Sequence, residues 1–561
     1  MDMSKYAVGL DFGTLSVRAL VADVSSGEEL GTAVYEYPHG VITGKLPCGT
    51  PIPDGWALQH PQDYIDGIAE VVPKAVAKSG VDVKDIIGIG VDFTANTFLP
   101  VDENNYPLCL KKEYEDRPHA WVKLWKHHGK SEYAEKMRAV AAERNEPFLK
   151  YYDNTVSAEW MFPRLLEILE EDPGIYDSAA GFIEAGDWVV KLLTGSDKRS
   201  ITLASVKALW TKEYGFPSED YFAAVNPKFR KVAVEKMGKE FYPLGENAGN
   251  LTEYGAKLTG LDTDTAVSVG CADGHIVMML VGDLESGSMI ASVGTSGVQL
   301  MVADRFIEVP GLCGICEDAV VPGMYSYEAG QRCVGDSLNW LVDNAVPKSC
   351  FDAADRAGVN IHQYLSDLAA KQRPGESGLI ALDWWNGNRS VLCNFDLSGL
   401  VLGLTLETKP EDIYRAFIEA TAFGLRKIID SFEDNGLKIN HLYTCGGITK
   451  KNRLFMQIYS DVLNREIRII STSQGTALSG AMLGAIAAGK ERGGYGSMKE
   501  AAAAMGGSYE KVYSPNAENA AIYEELYGEY CLLHDYFGKG VNDVMARMRR
   551  IRSRFDAQQC E

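Results

Sequence analysis

The sequence predicts an α/β protein of two related domains, each a mixed sheet flanked by helices. Two observations predict it. The first is element order: strand, strand, strand, helix, strand at the start of the chain, which calls for a mixed sheet with helices packed on it. The second is a repeat. Leu10-Asp-Phe-Gly-Thr-Leu-Ser16 and Ala291-Ser-Val-Gly-Thr-Ser296 both read as strand, Gly-Thr turn, strand, about 280 residues apart. Length alone, 561 residues, allows roughly three to four units of about 150 residues. A single long-period repeat favours two domains over an array.

The elements follow in order. Tyr6-Ala-Val-Gly-Leu-Asp-Phe12 is largely apolar and breaks at Gly13-Thr14. Extension resumes over 17–23, turns at Ser25-Ser26-Gly27, and returns over 31–37. Pro61-Gln-Asp-Tyr64 opens a helix with Pro and an acid where a helix start favours them. Ile86-Ile-Gly-Ile-Gly-Val91 is a short buried strand. In the second half, strands run over 288–293 and 298–302 around Gly294-Thr-Ser-Gly297. Pro410-Glu-Asp412 starts the clearest helix. Its apolar or small residues, from Ile413 to Phe432, recur in steps of three and one along one face. A strand over 441–445 leads into Gly446-Gly447. Residues 475–489 form a helix of small residues, which another backbone or a flat ligand can approach closely. A helical segment from about residue 515 ends in a basic stretch, 547–554, read as a solvated helix face.

Composition narrows the function. With 46% hydrophobic and 24% charged residues the chain is globular, not disordered. Its formal charge of −22 repels phosphate backbones and anionic lipid, so neither nucleic acid nor membrane is an expected partner. No apolar run reaches the roughly 18 residues of a membrane span. The start, Met1-Asp-Met-Ser-Lys5, has no basic stretch followed by an apolar one. The 11 cysteines are scattered and odd in number. They read as reduced thiols of a cytoplasmic protein. Cys313-x-x-Cys316 has no second pair or nearby His and is not read as a metal site. The state of association is left open, a homodimer being the first candidate.

Three glycine turns follow apolar strands: Asp11-Phe-Gly-Thr14, Gly294-Thr-Ser-Gly297 and Gly446-Gly-Ile-Thr449. Such turns expose backbone N–H groups and let a phosphate come near. Asp11, a carboxylate at a strand end beside one of them, is placed to hold a hydrated Mg²⁺. No G-x-x-x-x-G-K-[ST] exists, so the chain is not a P-loop protein. No Gly-x-Gly-x-x-Gly follows a strand either.

Together the turns resemble those of the FGGY carbohydrate kinases, within the hexokinase–actin–Hsp70 superfold. The first is similar to the family's first phosphate motif and Gly294 to Gly297 to its second. Thr444-Cys-Gly-Gly-Ile-Thr449 resembles the adenosine motif. The likeness runs from about residue 5 to residue 490. It implies two duplicated actin/hexokinase-like, ribonuclease H-like domains, 1–285 and 286–561, with a deep cleft between them. Residues 10–20 with 35–38, 90–97 and 117–128 resemble the branch of the family that phosphorylates L-ribulose to L-ribulose 5-phosphate in L-arabinose catabolism. A kinase of D-ribulose, xylulose or ribitol is the alternative. A chaperone-like or filament-forming ATPase of the same superfold would need a peptide-binding β-domain or a polymerisation surface, and no long all-β stretch follows residue 490.

The resemblance also implies a site. Asp273, in Gly270-Cys-Ala-Asp-Gly-His275, becomes the general base, heading an apolar helix over 276–281 where the helix dipole favours a carboxylate. Sugar binding falls to Trp125, Lys207, Glu328, Asp273 and the Ala95 backbone. ATP falls to Gly13, Thr14, Gly294, Thr295, Ser296, Gly446, Gly447 and Asn452, and Mg²⁺ to Asp11. Each has a plainer reading: Asp273 as a helix cap, Trp125 as core, Lys207 and Glu328 as solvated charges.

Overall fold

The structure is a computed structural model that describes residues 4–472 and 474–558, with side chains to Phe555. Met1 to Met3 of the N-terminal stretch read above, and Cys560, lie outside the described residues.

Two mixed sheets of the same local pattern organise the chain. In the first, strand Tyr6–Phe12 pairs antiparallel with Ser16–Asp23 and parallel with Ile86–Phe93. In the second, Ser288–Val293 pairs antiparallel with Gly297–Ala303 and parallel with His441–Cys445. Each sheet thus has a hairpin whose first strand lies beside a later parallel strand. The repeat seen in sequence is this hairpin. Each sheet has seven strands. A four-stranded sheet holding Leu58–Gln59, Phe98–Val101, Val122–Lys123 and Gly181–Glu184 adds to the first half.

Helix Pro61–Ser79 begins where its Pro and acid place it and ends at Gly80 in the left-handed region, φ 71°. Helix Pro410–Asp434 buries the face that its spacing marked. One expectation fails locally. The helix expected over 276–281 is a single α-turn, Asp273–Ile276, followed by the tighter turn Val277–Leu280. Its side chains are apolar all round and fully buried, so packing rather than an amphipathic face sets its path. After the last parallel strand, Tyr509–Tyr513 adds an antiparallel edge, and helices Ala517–Gly538 and Val544–Gln558 follow. Among the described residues no helix is long and apolar enough to cross a membrane.

The small-residue helix Gly475–Ala488 belongs to the second half of the chain but packs on the first sheet. A Cβ built on Gly9 would lie 1.7 Å from Ala477 O. On Gly88 it would lie 2.0 Å from Gly484 O, and on Gly90 1.9 Å from Gly480 O. Backbone therefore rests on backbone, which any side chain at these positions would prevent.

This contact makes a stability prediction. Gly484→Ala places its Cβ 2.8 Å from the Gly88 and Ile89 backbone, an overpacking that costs about 1–3 kcal/mol. Gly528→Ala meets nothing within 4 Å inside helix Ala517–Gly538 and gains helix propensity of up to about 1 kcal/mol. Thermal melts should show a lower Tm for the first variant and an equal or higher one for the second. Equal Tm values would contradict the packing described.

Candidate active site

Three carboxylates meet at the carboxyl end of the first sheet. Asp11 and Asp92 are register partners on parallel strands, and Cys271, two residues before Asp273, pairs with Asp92 from the other side. Asp11 Oδ2 accepts a hydrogen bond from Thr476 Oγ1 at 2.6 Å, with Arg18 Nε 3.6 Å away. Arg18 in turn donates to Gln474 Oε1 at 3.2 Å. Asp92 is wholly buried, and among the described residues no amide, hydroxyl or amine reaches either oxygen. Burial, then the charges of Asp11 and Asp273, push its pKa well above the ordinary carboxylate range.

Asp273 is the first residue inside its turn. Ala272 occupies the cap position and makes no side-chain capping bond. The cap reading of Asp273 is therefore displaced by one residue. Its Oδ1 accepts from the Gly274 N–H at 2.6 Å. Burial, then the Asp11 charge, raise its pKa to about 6, while the Gly274 N–H, Lys207 and the Ala95 N–H pull the other way. A carboxylate tuned to that range can hold or release a proton near neutral pH.

The first glycine turn follows Asp11 directly, and the other two lie at strand ends of the second sheet. Gly13 N–H donates to Ser16 O at 2.9 Å, and Gly294 N–H donates to Ser296 O at 2.9 Å. Thr295 O takes the N–H groups of Val334 and Asp336, which pins the second turn to the following helix. Ser292 and Cys445 are register partners, so Gly446 and Gly447 leave their strand beside Gly294. Gly446 sits at φ 116°, and a Cβ there would be 2.1 Å from Val293 O. Only glycine fits at that crossing. Asn452 is engaged within its own domain: its Oδ1 caps helix Arg453–Leu463 and accepts from Ser366.

Trp125 is 39% exposed and so is not core. Its Nε1 donates to Thr14 Oγ1 at 3.0 Å, tying it to the first turn. Gln59 Nε2 supports the same turn by donating to Thr14 O at 2.8 Å. Glu328 is buried, not solvated. Its Oε1 accepts from Arg389 Nη2 at 2.7 Å, and its Oε2 faces His275 Nε2 at 3.7 Å. Burial opposes its ionisation, but Arg389, His275 and Lys207 outweigh burial and hold its pKa below the ordinary value. Lys207 thus acts electrostatically on both Asp273 and Glu328. The structure brings Asp11, Asp273, Ala95, Lys207 and Glu328 together between the sheets, and Trp125 with Thr14. Sequence reasoning missed Asp92 and Arg389. An acid at the end of an otherwise apolar strand was the available signal for Asp92; nothing local marks Arg389.

A second polar cluster, His39, His60 and Asp63, fits a metal ion poorly. The two imidazoles stack at 4.1 Å with planes 16° apart, so their in-plane lone pairs do not converge. His60 Nδ1 already caps helix Pro61–Ser79, and His39 Nδ1 pairs with Asp63 Oδ1 at 2.7 Å. The ten described cysteines are all free thiols.

Two sheets of matching pattern, paired carboxylates at the end of the first and glycine turns on both are the features of a two-lobed phosphoryl-transfer enzyme. The chain belongs to the FGGY family of carbohydrate kinases, whose N-terminal domain matches residues 6–280 and C-terminal domain residues 289–488. It is therefore a sugar kinase, and kinases of this family take ATP as phosphate donor. It is 49% identical over 546 residues to the ribulokinase of Geobacillus thermodenitrificans, covering 97% of both chains. To that of Staphylococcus aureus it is 39% identical over 98% of this chain and 99% of the other. Its fold is similar to xylulose kinase from Rhodospirillum rubrum (TM-score 0.77, 22% identity, 94% and 98% of the two chains). It is also similar to Plasmodium falciparum glycerol kinase with ADP (TM-score 0.74, 17% identity, 94% and 98%).

The orphaned Asp92 generates the second prediction. A carboxyl whose folded pKa is raised loses stability as pH rises from its unfolded value toward its folded one. Asp92→Asn removes that cost. The variant should melt higher than the parent, with a gain larger at pH 8 than at pH 5. A gain independent of pH, or a loss at pH 8, would count against the strained-acid reading.

Proposed function

We propose that the chain transfers the γ-phosphoryl group of ATP to L-ribulose, forming L-ribulose 5-phosphate, a step of L-arabinose catabolism. The observation that carries this is near-full-length identity to ribulokinases. The free cysteines support a reducing, cytoplasmic setting, and a homodimer is the assembly we favour.

The roles follow from geometry. Phosphoryl transfer is chiefly positioning and charge stabilisation. Asp273 takes the proton of the attacking terminal hydroxyl. Its carboxylate is acted on by the Ala95 N–H and by Lys207, and Lys207 also acts on Glu328. Backbone N–H groups of the Gly13-Thr14 and Gly294-Thr295-Ser296 turns hold phosphoryl oxygens. A Cβ on Gly447 would meet nothing within 4 Å, and that open space, beside Gly446 and Asn452, takes the adenosine. Trp125 offers an apolar face to the sugar's C–H groups, while Lys207 donates to and Glu328 accepts from its hydroxyls.

The acid cluster fits a divalent cation. Asp11, Asp92 and Asp273 converge with fewer cations than carboxylates: Arg18, 3.6 Å from Asp11, and Lys207, which acts on Asp273. Two of the buried oxygens, those of Asp92, have no donor. Oxygen donors of this charge suit Mg²⁺, and Asp11 is the residue we assign to hold it. When bound with the nucleotide, Mg²⁺ supplies positive charge against the phosphate oxygens. Thr476 keeps the Asp11 carboxylate oriented, and approach of the two halves excludes water that would otherwise accept the phosphoryl group.

Substrate choice is tested with a panel. With ATP, L-ribulose should give the highest kcat/KM among L-ribulose, D-ribulose, D-xylulose, ribitol and glycerol. Related pentuloses should retain some activity, since one lost hydroxyl contact costs about 1–3 kcal/mol. If glycerol or D-xylulose exceeds L-ribulose by about tenfold, or about 1.4 kcal/mol, the assignment fails.

The base is tested by substitution and by pH. Asp273→Asn should lower kcat by about 10²–10⁴ with the KM for ATP nearly unchanged. The base works ionised, so kcat/KM of the parent should fall as pH drops below about 6, the value burial gives Asp273. A fully active, folded Asp273→Asn enzyme would remove this base.

A further inference from the structure

Arg389 lies outside every role assigned above. It sits in the loop between strands Ile380–Leu382 and Leu400–Leu402. Its 2.7 Å ion pair with Glu328 is largely enclosed, the side chains being 31% and 11% exposed. A charge-assisted bond this short and sheltered is much stronger than an exposed pair. The other Glu328 oxygen faces His275, two residues beyond Asp273. One carboxylate thus joins the turn that carries the proposed base to a loop of the second half.

The strand beneath is shaped for this arginine. Glu328 and Gly330 stand two apart on strand Tyr325–Gln331 and so share a face. A Cβ on Gly330 would lie 3.1 Å from Arg389 Cδ and 3.3 Å from Nη1. The arginine stem therefore lies over the gap that glycine leaves. Ser390 clamps the loop to the same residue. Its N–H donates to Gly330 O at 3.1 Å, and the Gly330 N–H donates to Ser390 Oγ at 3.2 Å. The guanidinium also acts on the Cys313 thiol, whose neighbour across the loop is Ser390 Oγ at 3.7 Å.

We propose that Arg389 is a sugar-positioning and specificity-determining residue. By binding Oε1 it fixes the Glu328 rotamer, keeps the group an ionised acceptor, and leaves Oε2 to take one hydroxyl of the ketose. The inference rests on the L-ribulose reading above. Without Arg389, a buried carboxylate loses its closest cation; it then turns, or takes a proton and becomes a donor. Either change weakens the bond from the sugar hydroxyl. The effect falls on sugar rather than ATP, because the Arg389 guanidinium bonds Glu328 and not the backbone N–H groups of the phosphate turn, although its stem passes near Gly297. A merely structural arginine would move stability and leave the KM for sugar alone.

The test is steady-state kinetics on the full-length enzyme, with melting curves for each variant. Arg389→Met should raise the KM for L-ribulose by about tenfold or more, while kcat and the KM for ATP change by less than about threefold. The kcat/KM ratio of L-ribulose to ribitol should fall with it. Arg389→Lys keeps the charge without the planar fork and should recover part of the loss. If Arg389→Met does not fold, Gly330→Ala carries the test. It crowds the arginine without changing charge and should raise the sugar KM several-fold. A sugar KM that moves less than about twofold in these folded variants overturns the inference, as does a KM for ATP that rises as much. A parent enzyme inactive on L-ribulose overturns the reading beneath and the inference with it. An active parent with unmoved variants overturns the inference alone.

Discussion

Helix Gly475–Ala488 meets strands Tyr6–Phe12 and Ile86–Phe93 through bare backbone, and the rest of the site depends on that closeness. Helices with ordinary side chains stand about 8–10 Å from their neighbours. Here Gly9, Gly88, Gly90, Gly480 and Gly484 remove the spacers. Thr476, one residue into the helix, can then reach Asp11 at 2.6 Å, and Gln474 can reach Arg18. A residue from late in the chain thereby orients a carboxylate at its beginning. Every later feature, from the acid cluster to the flanking turns, is referenced to that carboxylate.

The site then separates four acids by environment. Asp11 has a hydroxyl donor and a nearby guanidinium. Asp92, beside it in register, has no hydroxyl donor, and burial with the charges of Asp11 and Asp273 outweighs Arg18 and pushes it toward the neutral form. Asp273 is raised to about 6, where it can exchange a proton near neutral pH. Glu328 is equally enclosed but meets Arg389, His275 and Lys207, and stays ionised. Similar side chains take different roles because burial penalises charge and only some are compensated.

The second sheet contributes less charge and more shape. Its turns are held by main-chain bonds, as at Thr295 O, or by a glycine no other residue replaces, as at Gly446. That suits phosphate and a flat base, which are recognised by backbone amides and clearance more than by side chains. The Glu328–Arg389 pair is the exception, a largely enclosed ion pair on the second sheet.

What could be read from the sequence was local. The two hairpins, their Gly-Thr turns, the Pro-initiated helices and Asp11 at a strand end are set by neighbouring residues, and the structure places them where read. The small-residue stretch 475–489 announced a close approach but not its partner. Residues 276–281 were misread as one helix because an all-apolar run carries no face to give its path. Asp92 left only the trace of an acid at the end of an apolar strand, and Arg389 left none. Asp92 gains its character only when parallel pairing sets it between Asp11 and Cys271. Arg389 gains its own only when a loop folds over Gly330 onto Glu328, 61 residues earlier. Sequence determined which turns and strands form, because their causes lie within a few residues. Tertiary structure alone decided which charges meet, because burial and distance fix the state of a carboxyl and neither is a property of the chain in one dimension.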